Sequence, residues 1–367
     1  MNKISKQIIT ILNNEFSSKK MSLHEPKFEK NDVDLVTKCI KSSYVSSVGD
    51  YVCEFEELIK KETGSPYVVA VNSGTSALHS ALYVLNISHN DEVLIPTLNF
   101  VAAANAICYQ SAIPHFIDSR AEDLSIDSNK LDQYLKANTK LNSSGECINK
   151  NTGNKIKAII VFHPYGFSAD IKNLIKITKK YHLKMIEDSA ECLGSKYDGT
   201  HLGTFGDIGI LSFNGNKIVT TGGGGALMTN NKKLANKLLH ITKTSKKPHP
   251  FNFNHDNIGF NYRLPNLNAA LGCSQIKKLK SFIEKKENIH MRYKSMFENF
   301  QFGEILEKKK LDEILHDLNN SGIFARPIWN LLHNLPYLKS FPKMNLSNAM
   351  SWRKKTINLP SSHFLLG

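Results

Sequence analysis

The chain has 367 residues, of which 41% are hydrophobic and 22% are charged, so it is long enough and apolar enough to bury a substantial core. Lysine and arginine outnumber aspartate and glutamate by 47 to 33, and this excess suits nucleic acid, a membrane surface or anionic small molecules. The basic residues occur mostly as scattered Lys-Lys pairs, which are typical of solvated helix faces, and no nucleic-acid recognition motif accompanies them. Nucleic-acid binding is therefore disfavoured.

Membrane, secreted and metal-binding classes are also disfavoured. No stretch approaches the roughly 20 apolar residues of a membrane span, and the N-terminal apolar patch is too short and interrupted for a secretory signal. The six cysteines form no C-x-x-C pair and have no zinc-like spacing, so we expect reduced thiols. We expect a cytoplasmic protein without a bound metal and without a membrane partner.

Strands and helices alternate along most of the chain. An N-terminal helical stripe (Ile4, Ile8, Ile11 and Leu12) and two more helices come first. Strands are then expected, with helices between most of them, at PYVVAVNS, EVLIPT, IPHFID, IKAIIVFHP, LKMIEDS, DIGILSFN and GALMTN. This alternation predicts an α/β fold with a largely parallel sheet. The polar run 139–155 is expected to be a loop or excursion, and helices dominate after residue 230.

We divide the chain into an N-terminal helix and lead-in (1–24), a large domain (25–265) and a smaller C-terminal domain (266–367). Ligands of parallel sheets bind at the carboxyl ends of the strands. Four such ends carry polar residues, namely Asn72–Ser76, Thr97–Phe100, Glu187–Asp188 and Ser212–Lys217.

The motif NSGTSAL predicts a strand, a tight turn at Gly74 and a helix. The first turn of such a helix offers free N–H groups and the positive end of the helix dipole, which suits a phosphate group. Thr75 and Ser76 add hydroxyl groups, although a simple Ser/Thr helix cap explains the same residues equally well. Neither a P-loop nor a dinucleotide-binding fingerprint occurs in the sequence.

Two further motifs carry charged residues at strand ends. IEDSAE ends a buried strand with Glu187 and Asp188, and a carboxylate there needs a partner such as a protonated ring nitrogen, a salt bridge or a helix cap. Lys217 follows 217 − 188 = 29 residues later in SFNGNKIVTTGGGG, between two turns with little side-chain bulk. A lysine in a partly desolvated pocket becomes a usable amine for a Schiff base, whereas a surface lysine in a polar loop is the alternative.

The whole ordered set of motifs resembles that of a known enzyme family. NSGTSAL, PTLNFVAAANA, IEDSAE, GTFGDIGILSFNGNKIVTTGGGGALMTN and GFNYRLPNLNAALG are similar to the pyridoxal-phosphate-dependent sugar aminotransferases of the DegT/DnrJ/StrS family, over about residues 23–293. The excursion GECINKNTGNKIKAI and the segment from His240 to Gly272 further resemble the subgroup that acts on UDP-4-keto-6-deoxy-N-acetylglucosamine on the route to legionaminic acid. The resemblance implies fold type I, with a large domain around a mostly parallel sheet and a smaller C-terminal α/β domain.

The resemblance also implies roles at the reacting centre. Lys217 would form the Schiff base with the cofactor and later shuttle the proton, and Asp188 would face the pyridine nitrogen and keep it protonated. Glu191 stands where many relatives carry Gln or His beside the ring hydroxyl. His163 and Arg263 are candidate substrate contacts, although a hydrogen-bonded core histidine explains His163 equally well.

The remaining implied residues hold the cofactor. Gly74, Thr75 and Ser212 would bind its phosphate, and Phe100 would stack on the face of its ring. Asn261 would reach a phosphate across the interface of a homodimer.

The implied reaction moves an amino group from glutamate to C4 of a nucleotide-linked keto sugar. Dehydratase relatives replace the Schiff-base lysine by histidine, so Lys217 favours an aminotransferase. A GDP-4-keto-6-deoxymannose aminotransferase and a catalytically impaired homologue that serves as a binding partner stay open as alternatives. The impaired homologue is suggested by the C-terminal region. There, only FQFGEILEKK separates two helices, and no closing helix follows LPSSHFLLG. We therefore expect a shortened, incomplete small domain.

Overall fold

A computed structural model describes residues 1–16, 20–298 and 308–366 of the chain. The α-helices of this part are α1 (Lys3–Glu15), α2 (Lys30–Lys41), α3 (Asp50–Thr63), α4 (Gly74–Val84), α5 (Val101–Tyr109), α6 (Ser128–Asn138), α7 (Ile171–Lys180), α8 (Lys232–Ile241), α9 (Asn266–Ile276), α10 (Leu279–Phe297), α11 (Lys308–Asn320) and α12 (Ser347–Lys355). The strands are β1 (Tyr67–Val71), β2 (Glu92–Pro96), β3 (Ile113–Ile117), β4 (Thr139–Leu141), β5 (Cys147–Asn149), β6 (Lys155–Phe162), β7 (Lys184–Asp188), β8 (Lys196–Tyr197), β9 (Thr200–His201), β10 (Ile208–Ser212), β11 (Gly225–Thr229), β12 (Arg326–Pro327) and β13 (Ile357–Asn358). In this part of the chain, no helix is both long enough and apolar enough to cross a membrane.

The central sheet has the strand order β1-β11-β10-β7-β6-β2-β3. The five strands from β10 to β3 run parallel to their neighbours, whereas β11 pairs antiparallel with both β1 and β10. These are the seven strands that the sequence predicts. The prediction of an α/β fold with a mostly parallel sheet is confirmed.

The strands are apolar on both faces because helices cover both faces of the sheet. Along β1, Val69 and Val71 pack into a cluster with α4 and α5, whereas Val68 and Ala70 pack on the other face with α3 and α9. Parallel strands that are buried on both sides give the continuous apolar runs seen in the sequence.

The polar run 139–155 forms a hairpin of β4 and β5, and β5 extends the sheet by pairing antiparallel with β6. Its anchor is the fully buried carboxylate of Glu92, which lies 2.7 Å from Nδ1 of His115 and accepts a hydrogen bond of 2.9 Å from Nδ2 of Asn149. Hydrogen bonds to this carboxylate therefore help to hold the excursion, together with the buried Cys147, which explains its poor hydrophobic pattern.

The N-terminal helix packs on the C-terminal elements. One buried cluster contains Ile8 and Leu12 of α1, Phe16 at the C-cap of this helix, and Ile314 and Leu318 of α11. The hydroxyl of Ser5 and the backbone N–H of Asn2 also donate to the carboxylate of Asp317. The helix α1 is thus part of the C-terminal core.

Two helices, α9 and α10, follow the large sheet and are divided at Lys277–Lys278. The helix α9 packs against α2 and α3, while α10 leads into the C-terminal core with α1 and α11. The short connection 300–309, on which the expectation of an incomplete small domain partly rests, lies almost wholly outside the described residues. The division into domains therefore stays a prediction.

The packing of α1 predicts the effect of a cavity in that helix. Leu12→Ala should destabilise the C-terminal core by about 2–4 kcal/mol, because it removes a fully buried side chain from this cluster. Hydrogen exchange should then become faster at the amides of α11 and α10. Thr10→Ala, on the exposed side of the same helix, is the matched control and should leave both rates unchanged. Equal effects of the two substitutions would contradict the packing.

Candidate active site

Sheet topology brings three of the polar strand ends to one edge. Asp188 at the end of β7 is level with Ile210 of β10, and Ser212 at the end of β10 is level with Gly225 of β11. Gly225 in turn is level with Val71, which precedes the turn into α4. The motifs NSGTSAL, IEDSAE and SFNGNK therefore meet at this edge, as expected from the carboxyl-end rule.

Lys217 is held by a carboxylate at this edge. Its backbone N–H closes a turn on the carbonyl of Asn214 at 3.0 Å, and its Nζ lies 2.9 Å from Oε1 of Glu191. The other carboxylate oxygen of Glu191 accepts the backbone N–H of Tyr165 at 3.0 Å. The side chains of Lys217 and Glu191 are 16% and 18% exposed, so the amine is neither a free surface lysine nor sealed from solvent.

Tyr165 lies in a strained turn that supports Glu191. Its φ of 53° falls in the left-handed region, which costs a residue other than glycine about 1–3 kcal/mol. Its ring stacks on the indole of Trp329, with centroids 5.1 Å apart and planes within 9°. The C-terminal segment thereby contacts the residue that positions Glu191, a link between distant parts of the chain that the sequence motifs do not indicate.

Asp188 is a buried carboxylate that forms no ion pair with any described residue. It is 5% exposed, and one of its oxygens accepts the backbone N–H of Ala190 at 3.3 Å. Burial raises the pKa of Asp188 to about 6, and the positive charge of Lys217 opposes this rise. A buried carboxylate with this little compensation stabilises a cation or a protonated ring nitrogen placed beside it.

The carboxylate of the adjacent Glu187, by contrast, has a hydrogen-bond partner at each of its acceptor sites. It accepts the backbone N–H groups of Gly203, Phe205 and Gly206 at 2.7–2.9 Å. It also lies 3.1 Å from Nε2 of His163, whose Nδ1 accepts the N–H of Ala169, so the ring proton on Nε2 points at Glu187. The fully buried His163 is thus hydrogen-bonded within the core through both ring nitrogens, which favours the core histidine, and its contact with substrate stays a prediction.

The turn at Gly74 caps α4 and also leaves backbone N–H groups available to a ligand. Ser73 caps α4 by accepting the N–H of Ser76 at 3.0 Å, whereas the N–H groups of Gly74 and Thr75 have no acceptor among the described residues. A Cβ atom on Gly74 would lie 3.1 Å from Cβ of Ser212, so this end of β10 lies against the turn. Two free N–H groups beside a serine hydroxyl can bind a phosphate group.

The glycine run makes room at this same turn. A Cβ atom on Gly225 would lie 2.5 Å from the backbone oxygen of Ser73, which only glycine tolerates. Gly222 adopts a φ of 79°, in the left-handed region that favours glycine. The glycine run therefore allows the segment that carries Lys217 to approach the turn at Gly74 closely.

Three further predicted residues differ in their exposure. Phe100 is 55% exposed at the start of α5, and Asn261 is exposed beside Asn72. Arg263 is buried instead, where its Nη1 donates to Oε1 of Glu56 at 2.7 Å and to the carbonyl of Ala70 at 2.8 Å. Nη1 is thus engaged in a structural ion pair, whereas Nε has no hydrogen-bond partner among the described residues, so a substrate contact of Arg263 stays a prediction.

The residues fit pyridoxal phosphate at three points. The turn at Gly74 offers two free N–H groups for a phosphate, and Asp188 is a buried carboxylate that would pair with a ring nitrogen. The amine of Lys217 lies at the same edge of the sheet as both of them. A metal site finds no comparable support, since no group of three or more potential ligands occurs in the described part of the chain.

The raised pKa of Asp188 predicts a pH-dependent effect of Asp188→Asn in the cofactor-free protein. The folded state holds the proton up to about pH 6 and the unfolded state releases it near 3.8, so wild-type stability falls as pH rises through this window. Urea unfolding should show the variant to be more stable by about 2–3 kcal/mol at pH 7, with little difference at pH 3.5. A variant that is less stable at pH 7 would contradict the unpaired state of the carboxylate.

Comparison with known proteins agrees with this geometry. Residues 26–366 match the DegT/DnrJ/EryC1/StrS aminotransferase family. A GDP-perosamine synthase of Escherichia coli O157:H7 is 34% identical, with 94% of this chain and 93% of that protein covered. A UDP-4-amino-4,6-dideoxy-N-acetyl-β-L-altrosamine transaminase of Campylobacter jejuni is 30% identical, with 90% of each chain covered.

Solved structures give the same result. The Helicobacter pylori aminotransferase PseC, which is involved in the biosynthesis of pseudoaminic acid, superposes with a TM-score of 0.82 at 26% identity, with 93% of each chain covered. The fold is therefore that of the fold-type-I aminotransferases, and the cofactor is pyridoxal phosphate. The chain belongs to the DegT/DnrJ/EryC1/StrS family and is a pyridoxal-phosphate-dependent sugar aminotransferase.

Proposed function

We propose that the enzyme transfers the amino group of glutamate to the C4 ketone of a nucleotide-linked 4-keto-6-deoxy sugar. The observation that carries the proposal is the ion pair of Lys217 with Glu191 at the edge where Asp188 lies buried without a cation. The first candidate substrate is UDP-4-keto-6-deoxy-N-acetylglucosamine, for the synthesis of a surface glycan or a nonulosonic acid such as legionaminic acid. The excess of basic residues suits a substrate that carries a diphosphate.

The residues of the site would divide the work as follows. Gly74, Thr75 and Ser212 would hold the cofactor phosphate, and Asp188 would pair with the ring nitrogen. When bound, pyridoxal phosphate supplies an electron sink that stabilises the negative charge left on the α-carbon of the amino donor. Phe100 would cover the face of the ring, and its exposed side chain has room for such a contact.

Lys217 would anchor the cofactor and then, once released, move protons as a general base and acid. Its Nζ would take the proton from the α-carbon of glutamate and, in the second half of the reaction, return a proton to C4 of the sugar. Glu191 already accepts a hydrogen bond from this Nζ, so it would hold the amine in place while the proton resides there. The N–H of Tyr165 keeps the carboxylate of Glu191 oriented during both steps.

A GDP-linked sugar is the second candidate substrate. Its support is the 34% identity to a protein named GDP-perosamine synthase, which extends over almost the whole of both chains. The C4 ketone and the 6-deoxy sugar are common to both candidates, so the two proposals differ in the nucleotide and in the substituent at C2. A catalytically impaired homologue is less well supported, because Lys217, Glu191 and Asp188 are all present.

A substrate panel tests this proposal. Purified enzyme with glutamate should convert either the UDP-linked or the GDP-linked 4-keto-6-deoxy sugar to its 4-amino product, with release of one 2-oxoglutarate per product by mass spectrometry. Lys217→Ala should reduce turnover at least a thousandfold, whereas Lys196→Ala, at an exposed lysine, should retain it. Turnover of neither sugar by cofactor-loaded enzyme would refute the proposed substrate class.

We also propose a homodimer in which Asn261 of each protomer reaches the site of the other. Several large apolar side chains are exposed on the segment that precedes Asn261 and on the loop before α3. These are Phe251, Phe253 and Ile258 on the first and Tyr44, Val45 and Val48 on the second. Exposed apolar side chains at this density mark protein interaction surfaces.

This proposal predicts that the protein is a dimer in solution. Sedimentation should give a mass of about 82 kDa, twice the chain mass of 41.2 kDa. Ile258→Asp should weaken the dimer, because it places a charge on the interface, and Lys237→Asp on the exposed face of α8 is the control. A wild-type protein that sediments as a monomer at micromolar concentration would contradict the shared site.

A further inference from the structure

The segment 326–333, here called the C-terminal clamp, is anchored at the carboxyl end of β2. Ile328 of the clamp is buried in one cluster with Leu98, which follows this strand. Further along the clamp, the N–H of Leu332 donates to the carbonyl of Thr97 at 2.8 Å. The tryptophan that lies between these two anchors is therefore held at a fixed place beside the sheet.

This tryptophan, Trp329, contacts two aromatic residues at the end of the neighbouring strand β6. Its ring meets that of Phe162 edge to face, with centroids 5.5 Å apart, and Phe162 is level with Asp188 in the sheet. The same ring stacks on that of Tyr165, with the two planes within 9°. Aromatic pairs prefer edge-to-face and stacked arrangements, so both contacts stabilise this position of the indole.

The turn that carries Tyr165 lies directly on Glu191. Tyr165 and Gly166 adopt positive φ values of 53° and 85°, and a Cβ atom on Gly166 would lie 2.9 Å from the backbone oxygen of Glu191. Glycine adopts the left-handed conformation readily, whereas tyrosine does so only at a cost. Tyr165 therefore needs support from outside its own turn to keep the conformation in which its N–H donates to Glu191.

Glu191 connects this turn to the amine of Lys217. Its Oε2 accepts the N–H of Tyr165 at 3.0 Å, and its Oε1 lies 2.9 Å from Nζ of Lys217. The carboxylate keeps this orientation only while the N–H of Tyr165 points at it. If the turn relaxed to a right-handed conformation, the N–H would leave Glu191, and the carboxylate would be free to rotate away from the amine.

We propose that Trp329 is a positioning residue for Lys217. By stacking on Tyr165, its indole holds the left-handed turn, the turn directs an N–H to Glu191, and Glu191 fixes the amine. The proposal rests on the proposed function, because that function gives Lys217 and Glu191 their roles in proton transfer. The geometry of the reacting amine thus depends on the docking of the C-terminal clamp on the sheet.

Hydrogen exchange at the amide of residue 165 tests the first link in the cofactor-free, full-length protein. Trp329→Ala should make this amide exchange about tenfold faster, because the stack no longer supports the turn, and should leave the amides of β6 unchanged. Trp329→Phe keeps a ring for the stack and should exchange at the wild-type rate. The matched control is Trp352→Ala, which removes a tryptophan whose Nε1 donates to the carbonyl of Arg120 at 2.8 Å, and it should not affect residue 165.

A second substitution in the Trp329→Ala variant separates a positioning role from a merely structural one. Tyr165→Gly in this background should return exchange to the wild-type rate, after correction for the intrinsic rate of glycine, because glycine adopts the left-handed turn without support. Tyr165→Ala in the same background should remain as fast as Trp329→Ala.

The link to Lys217 is tested by the release of 2-oxoglutarate from glutamate, measured in a single turnover of cofactor-loaded enzyme without sugar. Trp329→Ala should slow this release about tenfold, because the amine that moves the proton is no longer held in place. Trp329→Phe and the double variant Trp329→Ala/Tyr165→Gly should both release 2-oxoglutarate at the wild-type rate.

The positioning role is refuted if residue 165 exchanges no faster in Trp329→Ala, if Tyr165→Gly does not restore the slow exchange, or if Trp352→Ala has the same effect. It is equally refuted if Trp329→Ala leaves the single turnover unchanged. Enzyme that aminates a nucleotide sugar but gives any of these results would leave the proposed function intact. Enzyme that gives the expected exchange and single-turnover rates but aminates neither sugar would refute the proposed substrate alone.

Discussion

The carboxylate of Asp188 at the end of β7 is the constraint around which the site is organised. It is buried, its pKa is raised to about 6, and the charge of Lys217 is the main effect that opposes this rise. The neighbouring Glu187 shows how the same strand end satisfies a buried acid, with three backbone N–H groups and a histidine. The cost of leaving Asp188 without such partners would be the physical basis of the proposed pairing with a ring nitrogen.

Much of the fold was predictable from the sequence because it is determined by local patterns. Continuous apolar runs between helices mark all seven strands of the main path, and their polar carboxyl ends mark the residues that meet at the site. The turn that carries Lys217 and the turn at Gly74 can be predicted from their glycine, asparagine and threonine residues alone. These features depend on backbone geometry within a few residues.

The features that the sequence could not predict concern contacts between distant segments. Whether Arg263 is free or paired depends on Glu56, 207 residues earlier, and the sequence near Arg263 does not indicate that partner. His163 looked ambiguous because its partner Glu187 and the backbone of Ala169 come from different elements. The packing of α1 on α11 and the stack of Tyr165 on Trp329 are likewise invisible to local patterns.

The central claim is that Lys217 is the lysine to which the cofactor binds covalently. Borohydride reduction of the loaded enzyme, followed by peptide mass spectrometry, tests this directly, since reduction makes the bond to the lysine permanent. The account predicts a phosphopyridoxyl group on Lys217 and on no other lysine. A modification at a different lysine, or none on an enzyme that binds the cofactor, would contradict it.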